Sequence, residues 1–262
     1  NFLIDVNILE KIIKEAQIHK QCGIIEIGPG IGSLTEQLAR HAKNVVAYEI
    51  DQRLLPILED TLHEYKNVKI IHADVLKVDI HAAIQNHFEA DQPIHVVANL
   101  PYYITTPILM TLLQAQLPIE RFTVMIQKEV ADRMAAKPNS KSYGSLSIAV
   151  QYFTEAQVLF TVPKTAFIPQ PNVTSSVLTL IKRPTPLVKV VDETHFFKIV
   201  RACFQHRRKT ILNNLVQHDS LLDKKQIEGL LEQLGISPNR RAESLTIEEF
   251  ALVSNTMKNN DV

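Results

Sequence analysis

The sequence predicts an α/β fold followed by a small all-helical domain, on three observations. Apolar, β-rich runs near residues 24–28, 45–50, 68–74, 94–99 and 122–127 alternate with helix-like stretches. That alternation is a βαβ series, which implies a parallel sheet with helices on both faces. Two more strand-like runs, Val158-Leu159-Phe160 and Ser176 to Ile181, follow without a full helix between them. A strand reached through a loop can enter antiparallel, so seven strands are expected. Beyond Arg183-Pro184-Thr185-Pro186 the pattern is helical throughout. Two prolines break helix and sheet alike, so the boundary is set between a domain over 1–183 and one over 184–262.

The first strand carries the most unusual backbone. Ile24-Ile25-Glu26-Ile27 has the continuous apolar character of a buried parallel strand and runs into Gly28-Pro29-Gly30-Ile31-Gly32-Ser33. Three of the chain's seven glycines fall at 28, 30 and 32. Such a loop turns sharply and lets a ligand approach the backbone closely. A helix follows, with Leu34, Leu38 and Ala42 at helical spacing and Ser33 near its start. The dinucleotide fingerprint G-x-G-x-x-G seats a pyrophosphate on a helix N-terminus. Here Ser33 stands where the third glycine belongs, and the glycine comes one residue early.

The second strand, Val45 to Ile50, places Glu49 21 positions after Gly28. A carboxylate there takes the ribose hydroxyls of an adenosine cofactor and would repel a 2′-phosphate. Its other reading is a solvated charge at a strand end. The third strand ends near Asp74, which either accepts an adenine amino group, with Ile50 and Val75 on the two faces of the ring, or caps the following helical segment. Glu26 likewise has two readings, contact with the far end of the cofactor or anchoring of the glycine loop. The fourth strand, Ile94 to Ala98, leads into Asn99-Leu100-Pro101-Tyr102-Tyr103. The Asn99 side-chain oxygen can accept one N–H of a planar amine, and a carbonyl held by the Leu100-Pro101 turn the other. Tyr102 offers a face on which a base can stack. An ordinary Asn-Pro turn is the plain alternative.

The helical tail has its own pattern. Phe196, Phe197, Val200 and Phe204 fit one apolar face; Ile227, Leu230, Leu231 and Leu234 fit another, with Gly235 as C-cap. Thr246-Ile247-Glu248-Glu249 has the form of a helix start.

At 262 residues, 45% hydrophobic and 21% charged, the chain is long enough for two modest domains. A formal net charge of zero argues against indiscriminate polyanion binding, so any such site must be a local patch. One candidate runs from Lys182 to Lys209, with eight Lys/Arg against two acids. Within it, no acid interrupts Gln205-His206-Arg207-Arg208-Lys209. Arg201, Arg207, Arg208 and Lys209 are therefore candidate phosphate contacts, the alternative being a solvated helix face. Two cysteines are too few for a disulfide framework or zinc site, and a buried thiol is expected at Cys203. The ten histidines show no metal spacing. Without a signal peptide, lipidation motif or 18-residue apolar run, a cytoplasmic protein with no metal and no membrane partner is expected.

The glycine spacing resembles motif I of the S-adenosylmethionine-dependent methyltransferases. Asn99 to Tyr102 resembles the Asn-Leu-Pro-Tyr signature of enzymes that methylate exocyclic amino groups on bases. Asn1-Phe2-Leu3-Ile4-Asp5, Glu26 to Thr35, Glu49, Ala73-Asp74, Asn99 to Ile104, Phe167 to Ser175, Phe204 to Leu215 and Arg240 to Leu245 extend the likeness over nearly the whole chain. In that order they make it similar to the bacterial small-subunit (16S) ribosomal RNA adenine N6,N6-dimethyltransferases.

The resemblance implies a Rossmann-like, seven-stranded class I methyltransferase sheet with a helical C-terminal domain that contributes to RNA or subunit binding. It implies S-adenosylmethionine as cofactor, S-adenosylhomocysteine as product, and two adjacent adenosines in the 3′-terminal hairpin of small-subunit rRNA as target. The immature small ribosomal subunit would be the partner, its maturation the context, and a monomer the working form. Cofactor contacts carry over to Asn1, Leu3, Gly28, Glu49, Asp74 and Asn99, with Glu26, Gly30, Ile50 and Val75 beside them. The target base falls to Asn99, Leu100, Pro101 and Tyr102, with Phe167 either a further wall or a core aromatic. Family members carry a basic segment ahead of the Asn-Phe-Leu motif. This chain starts inside the motif without an initiating Met, so a trimmed sequence is expected, with RNA affinity depending on what precedes it. Two other readings stand beside this one: the erythromycin-resistance enzymes that act on large-subunit rRNA, and a ribosome-assembly factor that acts mainly by binding.

Overall fold

The structure is a computed structural model and describes residues 2–218 and 223–260. It divides into two compact units, Asn1–Ala131 with Glu155–Lys182, and Asp132–Thr154 with Arg183–Val262.

In the first unit, strands and helices alternate as β1 (Phe2–Leu3), α1 (Val6–Glu15), β2 (Gly23–Ile27), α2 (Ser33–His41), β3 (Asn44–Glu49), α3 (Leu55–Leu62), β4 (Val68–His72), α4 (Ile80–His87), β5 (Ile94–Asn99), α5 (Thr105–Gln114) and β6 (Ile119–Gln127). Helix α6 (Lys128–Met134) leads out, and β7 (Thr154–Val162), β8 (Phe167–Ile168) and β9 (Ser175–Lys182) complete the unit. The main sheet has seven strands in the order β4-β3-β2-β5-β6-β9-β7. Strands β4, β3, β2, β5 and β6 pair in parallel, and β9 enters antiparallel to β6, with Val124 opposite Leu178 and Met125 opposite Val177. All seven strands match runs expected from the sequence.

Strand order reverses between β2 and β5, and crevices at such a switch point are where open α/β sheets take ligands. All five residues of β2 are buried, which is why it has no polar alternation. The sheet packs on α1 and α2 through one apolar cluster that includes Leu3, Leu9, Leu34, Leu38, Val97, Met125, Phe167 and Val177. Leu38 is wholly enclosed, and truncating such a side chain costs about 2–5 kcal/mol. Helix α1 starts where Asp5 accepts the Asn7 and Ile8 N–H groups at 3.0 and 3.3 Å, satisfying two orphan donors. The short strand β1 pairs antiparallel with β8, Leu3 opposite Phe167, and so ties the start of the chain to the segment that carries Phe167.

The second unit contains α7 (Ser145–Phe153), α8 (Glu193–Cys203), α9 (Ile211–His218), α10 (Lys224–Gln233) and α11 (Ile247–Asn260). Phe196, Phe197 and Val200 are buried on α8, and Ile227, Leu230 and Leu231 on α10. Gly235 adopts φ +72°, the left-handed value that ends a helix. Thr246 and Glu249 exchange hydrogen bonds at 2.8 and 3.3 Å in a capping box at the start of α11.

One boundary differs from expectation. Residues 132–154, placed by sequence in the domain over 1–183, belong to the second unit. Tyr152 and Phe153 explain the difference: the Tyr152 ring packs 5.4 Å from Phe196 and meets Phe197 edge-on at 5.2 Å, and Phe153 lies 6.0 Å from Phe197. The chain beyond the sheet also returns to α7, where the Arg183 and Leu187 N–H groups donate to the Phe153 and Tyr152 carbonyls at 2.9 Å. Helix α7 lies between two strands in sequence, so periodicity alone assigns it to the sheet domain.

Candidate active site

The carboxyl ends of β2, β3, β4 and β5 surround one pocket of about 390 Å³, wholly within the first unit. Its floor is the glycine loop. Gly28, Gly30 and Gly32 have φ of +69°, +62° and +91°, values that side chains rarely adopt. A Cβ on Gly30 would also come within 3.0 Å of the Phe2 ring. The loop thus needs glycine for conformation at all three positions and for space at Gly30. Its Gly28 N–H donates to the Tyr48 carbonyl at 2.9 Å, fastening β2 to β3 at the site.

Glu49 is buried, 4% exposed, and not the solvated strand-end charge. Its Oε2 accepts the Gly30 N–H at 3.3 Å and its Oε1 the Asp51 N–H at 2.8 Å. A carboxylate has about four acceptor positions, so two remain for a ligand. Asp74 caps the following segment, its Oδ1 accepting the Leu76 N–H at 3.1 Å, and the residue also lines the pocket. Ile50 and Val75 line it too, the first largely exposed and the second buried.

Glu26 sits beneath the loop, 1% exposed, with an Oε2 that has no hydrogen-bond partner among the described residues. Burial pushes its carboxyl up to about 8; the Thr35 hydroxyl opposes this and the Glu49 charge adds to it. Glu26, Glu49, Asp51 and Asp74 all line the pocket, and none of the lining residues is Lys, Arg or His. Asp51 is held down at about 2 by its hydrogen bonds to Arg53, whose own side chain is 90% exposed. Charged acids with no basic side chain in the lining disfavour a phosphate here.

At the end of β5, the Leu100 N–H donates to the Met125 carbonyl at 3.1 Å and buries the Leu100 side chain. The Pro101 carbonyl accepts the Ile104 N–H at 3.2 Å and the Thr105 hydroxyl at 3.0 Å, which closes the turn over the start of α5. Asn99 lines the pocket, and its side chain makes no hydrogen bond among the described residues. Tyr102 is half-buried, with its phenol 2.7 Å from Ser175 Oγ on β9. Phe167 is 2% exposed and part of the core cluster, so the core reading holds for most of the ring, although the residue also lines the pocket.

Leu3, Glu26, Gly28, Gly30, Glu49, Ile50, Asp74, Val75, Asn99, Leu100, Pro101, Tyr102 and Phe167 are thus brought together. Asn1 lies outside the described residues. Phe2, Tyr48, Leu54 and Tyr103 line the same pocket without having been singled out from sequence. Phe2 belongs to the Asn-Phe-Leu motif; Tyr48 and Leu54 carry no signal beyond their apolar character.

The four basic candidates belong to the second unit. Arg201 is exposed in the last turn of α8, Arg208 is exposed and Lys209 half-buried, and none has an ion pair among the described residues. Arg207 corrects the expectation that no acid neutralises this cluster. Its Nη2 donates to the Lys141 carbonyl at 2.8 Å, the Tyr143 carbonyl at 3.4 Å and Glu243 Oε2 at 3.2 Å. Glu243 in turn offers its carbonyl to the Asn139 N–H at 2.8 Å. The neutralising acid lies 36 residues away in sequence, which hid it from a local charge count.

Both cysteines are buried thiols, and burial pushes Cys203 up to about 12. No helix among the described residues is long and apolar enough to cross a membrane. Among the same residues, no group of three or more His, Cys, Asp or Glu could hold a metal ion.

A family model described as ribosomal RNA adenine dimethylase matches residues 1–259. The chain is 62% identical over 260 residues to the ribosomal RNA small subunit methyltransferase A of Geobacillus sp. (strain WCH70), covering 98% of this chain and 89% of that one. It is 59% identical over 259 residues to the protein of the same name from Bacillus cytotoxicus, with the same two coverages. Among solved structures, a dimethyladenosine transferase from Plasmodium falciparum aligns with a TM-score of 0.79 at 25% identity, over 100% of this chain and 98% of that chain. The 23S rRNA methyltransferase ErmE aligns with a TM-score of 0.73 at 26% identity, over 98% and 100%.

Proposed function

Because this chain belongs to the ribosomal RNA adenine dimethylase family, we propose that it transfers methyl groups from S-adenosylmethionine to N6 of two adjacent adenosines in the 3′-terminal hairpin of small-subunit rRNA. The observation that carries the reading is a single pocket in which Asn99-Leu100-Pro101-Tyr102 faces a glycine loop and four carboxyls with no base among its lining. The residues present suit this cofactor. Glu49 keeps acceptor positions for ribose hydroxyls, Asp74 lies at the wall with Val75 and Ile50, and acids alone favour a cation over a phosphate. When bound, the cofactor supplies an electrophilic methyl group on sulfur.

The chain's own part is positioning. The lone pair of an adenine amino group is delocalised into the ring, so the nitrogen is a weak nucleophile. Asn99 Oδ1 and the Leu100 carbonyl accept its two hydrogens and favour a pyramidal nitrogen. Tyr102, its phenol fixed on Ser175, presents a ring for the base to stack on. Orientation of this kind supplies several kcal/mol. A target base leaves its own stack to reach such a pocket. The second unit provides Arg201, Arg208 and Lys209 as phosphate contacts, and Arg207 arranges the loops beside them.

The 62% identity to a small-subunit enzyme, against 26% to a 23S rRNA enzyme, favours the small-subunit target over the large. The protein works in the cytoplasm on maturing subunits, as a monomer. The test is transfer from labelled S-adenosylmethionine to unmethylated small subunits, large subunits and bare rRNA, with mass mapping of products. Paired dimethyladenosines in the 3′ hairpin are expected, with Asn99→Ala lowering kcat on the order of 100-fold or more. Label in the large subunit would reassign the target. Subunit binding without transfer would favour the assembly-factor reading.

A further inference from the structure

Two successive tyrosines leave the end of β5 and meet different environments. Tyr102 is half-buried, with its phenol 2.7 Å from Ser175 Oγ. Tyr103 lines the same pocket, is 85% exposed, and makes no side-chain hydrogen bond or ring contact among the described residues. The turn that carries it is closed by both bonds to the Pro101 carbonyl, so the free ring stands on a fixed base. Neither core packing nor turn chemistry calls for an aromatic side chain here.

Electrostatics indicates what such a ring can hold. A polynucleotide at this mouth brings phosphates towards Glu49, Asp51 and Asp74, with no basic side chain in the lining to receive them. Neutral contacts must then retain the strand at the mouth. Base stacking on an aromatic face is such a contact, and every base has a face to offer. Tyr103 follows Tyr102 directly in the chain, so its ring is presented at the rim beside the residue that faces the base.

Resting on the function proposed above, we infer that Tyr103 stacks on the nucleobase covalently next to the target adenosine, holding one base of the pair at the rim while the other occupies the pocket. Tyr103 is a substrate-positioning residue and takes no part in methyl transfer itself.

The chain has no tryptophan, so Tyr103→Trp introduces its sole indole. An RNA hairpin with two adjacent adenosines is expected to quench that fluorescence. The same hairpin with an abasic site beside the target is expected to leave it unquenched. In transfer assays on unmethylated small subunits, Tyr103→Ala raises KM roughly tenfold. Its kcat and its calorimetric affinity for S-adenosylhomocysteine stay unchanged, and Tyr103→Phe behaves as wild type. An unmoved KM in Tyr103→Ala, a quench that survives the abasic site, or weakened binding of S-adenosylhomocysteine would each overturn the inference. Absence of transfer in the wild type, with an abasic-sensitive quench intact, would instead sink the proposed function and leave the stacking supported.

Discussion

The pocket of the first unit and the loop cluster of the second carry opposite charge and are held together in opposite ways. The pocket gathers four carboxyls at the ends of parallel strands, and backbone N–H groups fix three of them, Glu49, Asp51 and Asp74. The cluster gathers basic side chains on loops, and a side chain, Arg207, fixes the loops. A formal net charge of zero, 28 basic against 28 acidic residues, thus coexists with local sites of opposite sign. In the pocket the backbone shapes the charges, whereas in the cluster a charge shapes the backbone. Adjacent basic residues need not do the same work: Arg207 ties loops that its neighbour Arg208 only decorates.

Glu49 gives the sharpest way to break this comparison. Glu49→Ala removes the acceptor for two backbone donors and, on the proposed function, for the cofactor's ribose, so S-adenosylhomocysteine affinity should fall on the order of 100-fold by calorimetry. A loss under threefold would mean that the backbone holds the pocket without it.

Glu26 tests the cost of burying an acid beneath the pocket. Its carboxyl is raised from 4.5 to about 8, so the native state keeps a proton that the unfolded chain releases. Stability attributable to this group is therefore full below pH 4.5, falls as pH rises towards 8, and levels off above, by at most about 1.4 kcal/mol per pH unit. Glu26→Gln should melt with the wild type near pH 4.5 and several degrees above it at pH 8. Parallel melting curves across that window would mean that Glu26 is already charged in the fold.

The smallest effects should separate Arg207 from Arg208. Arg207→Ala loses two carbonyl contacts and a half-exposed ion pair, about 1–2 kcal/mol, and should lower Tm by a few degrees. Arg208→Ala should leave Tm unchanged and weaken subunit binding, with the salt slope reduced by about 0.9. Equal effects of the two changes on Tm and on the salt slope would erase the distinction.

The pocket was largely legible in the sequence because it depends on backbone. Left-handed φ values at residues 28, 30 and 32 demand glycine, and the turn after Asn99 carries a proline, so each leaves a mark at fixed spacing. Glu49 and Asp74 could be placed because strand ends in a parallel sheet converge on one edge. Strand periodicity likewise located all seven strands of the sheet. Two adjacent tyrosines, Tyr102 and Tyr103, look alike in sequence until one phenol finds Ser175, 73 residues on.

What the sequence determined by itself is the set of local constraints: which segments are strands, where the chain turns against its side chains, and which end of the sheet gathers acids. These follow from φ, hydrogen-bond geometry and burial within a few residues. Only the tertiary structure decided that α7 leaves the sheet domain to stack its aromatics on α8, that Phe167 is mostly core, and that Glu243 engages Arg207. Those outcomes depend on contacts between residues far apart in the chain. Their partners are chosen by packing in space, and no local spacing records it.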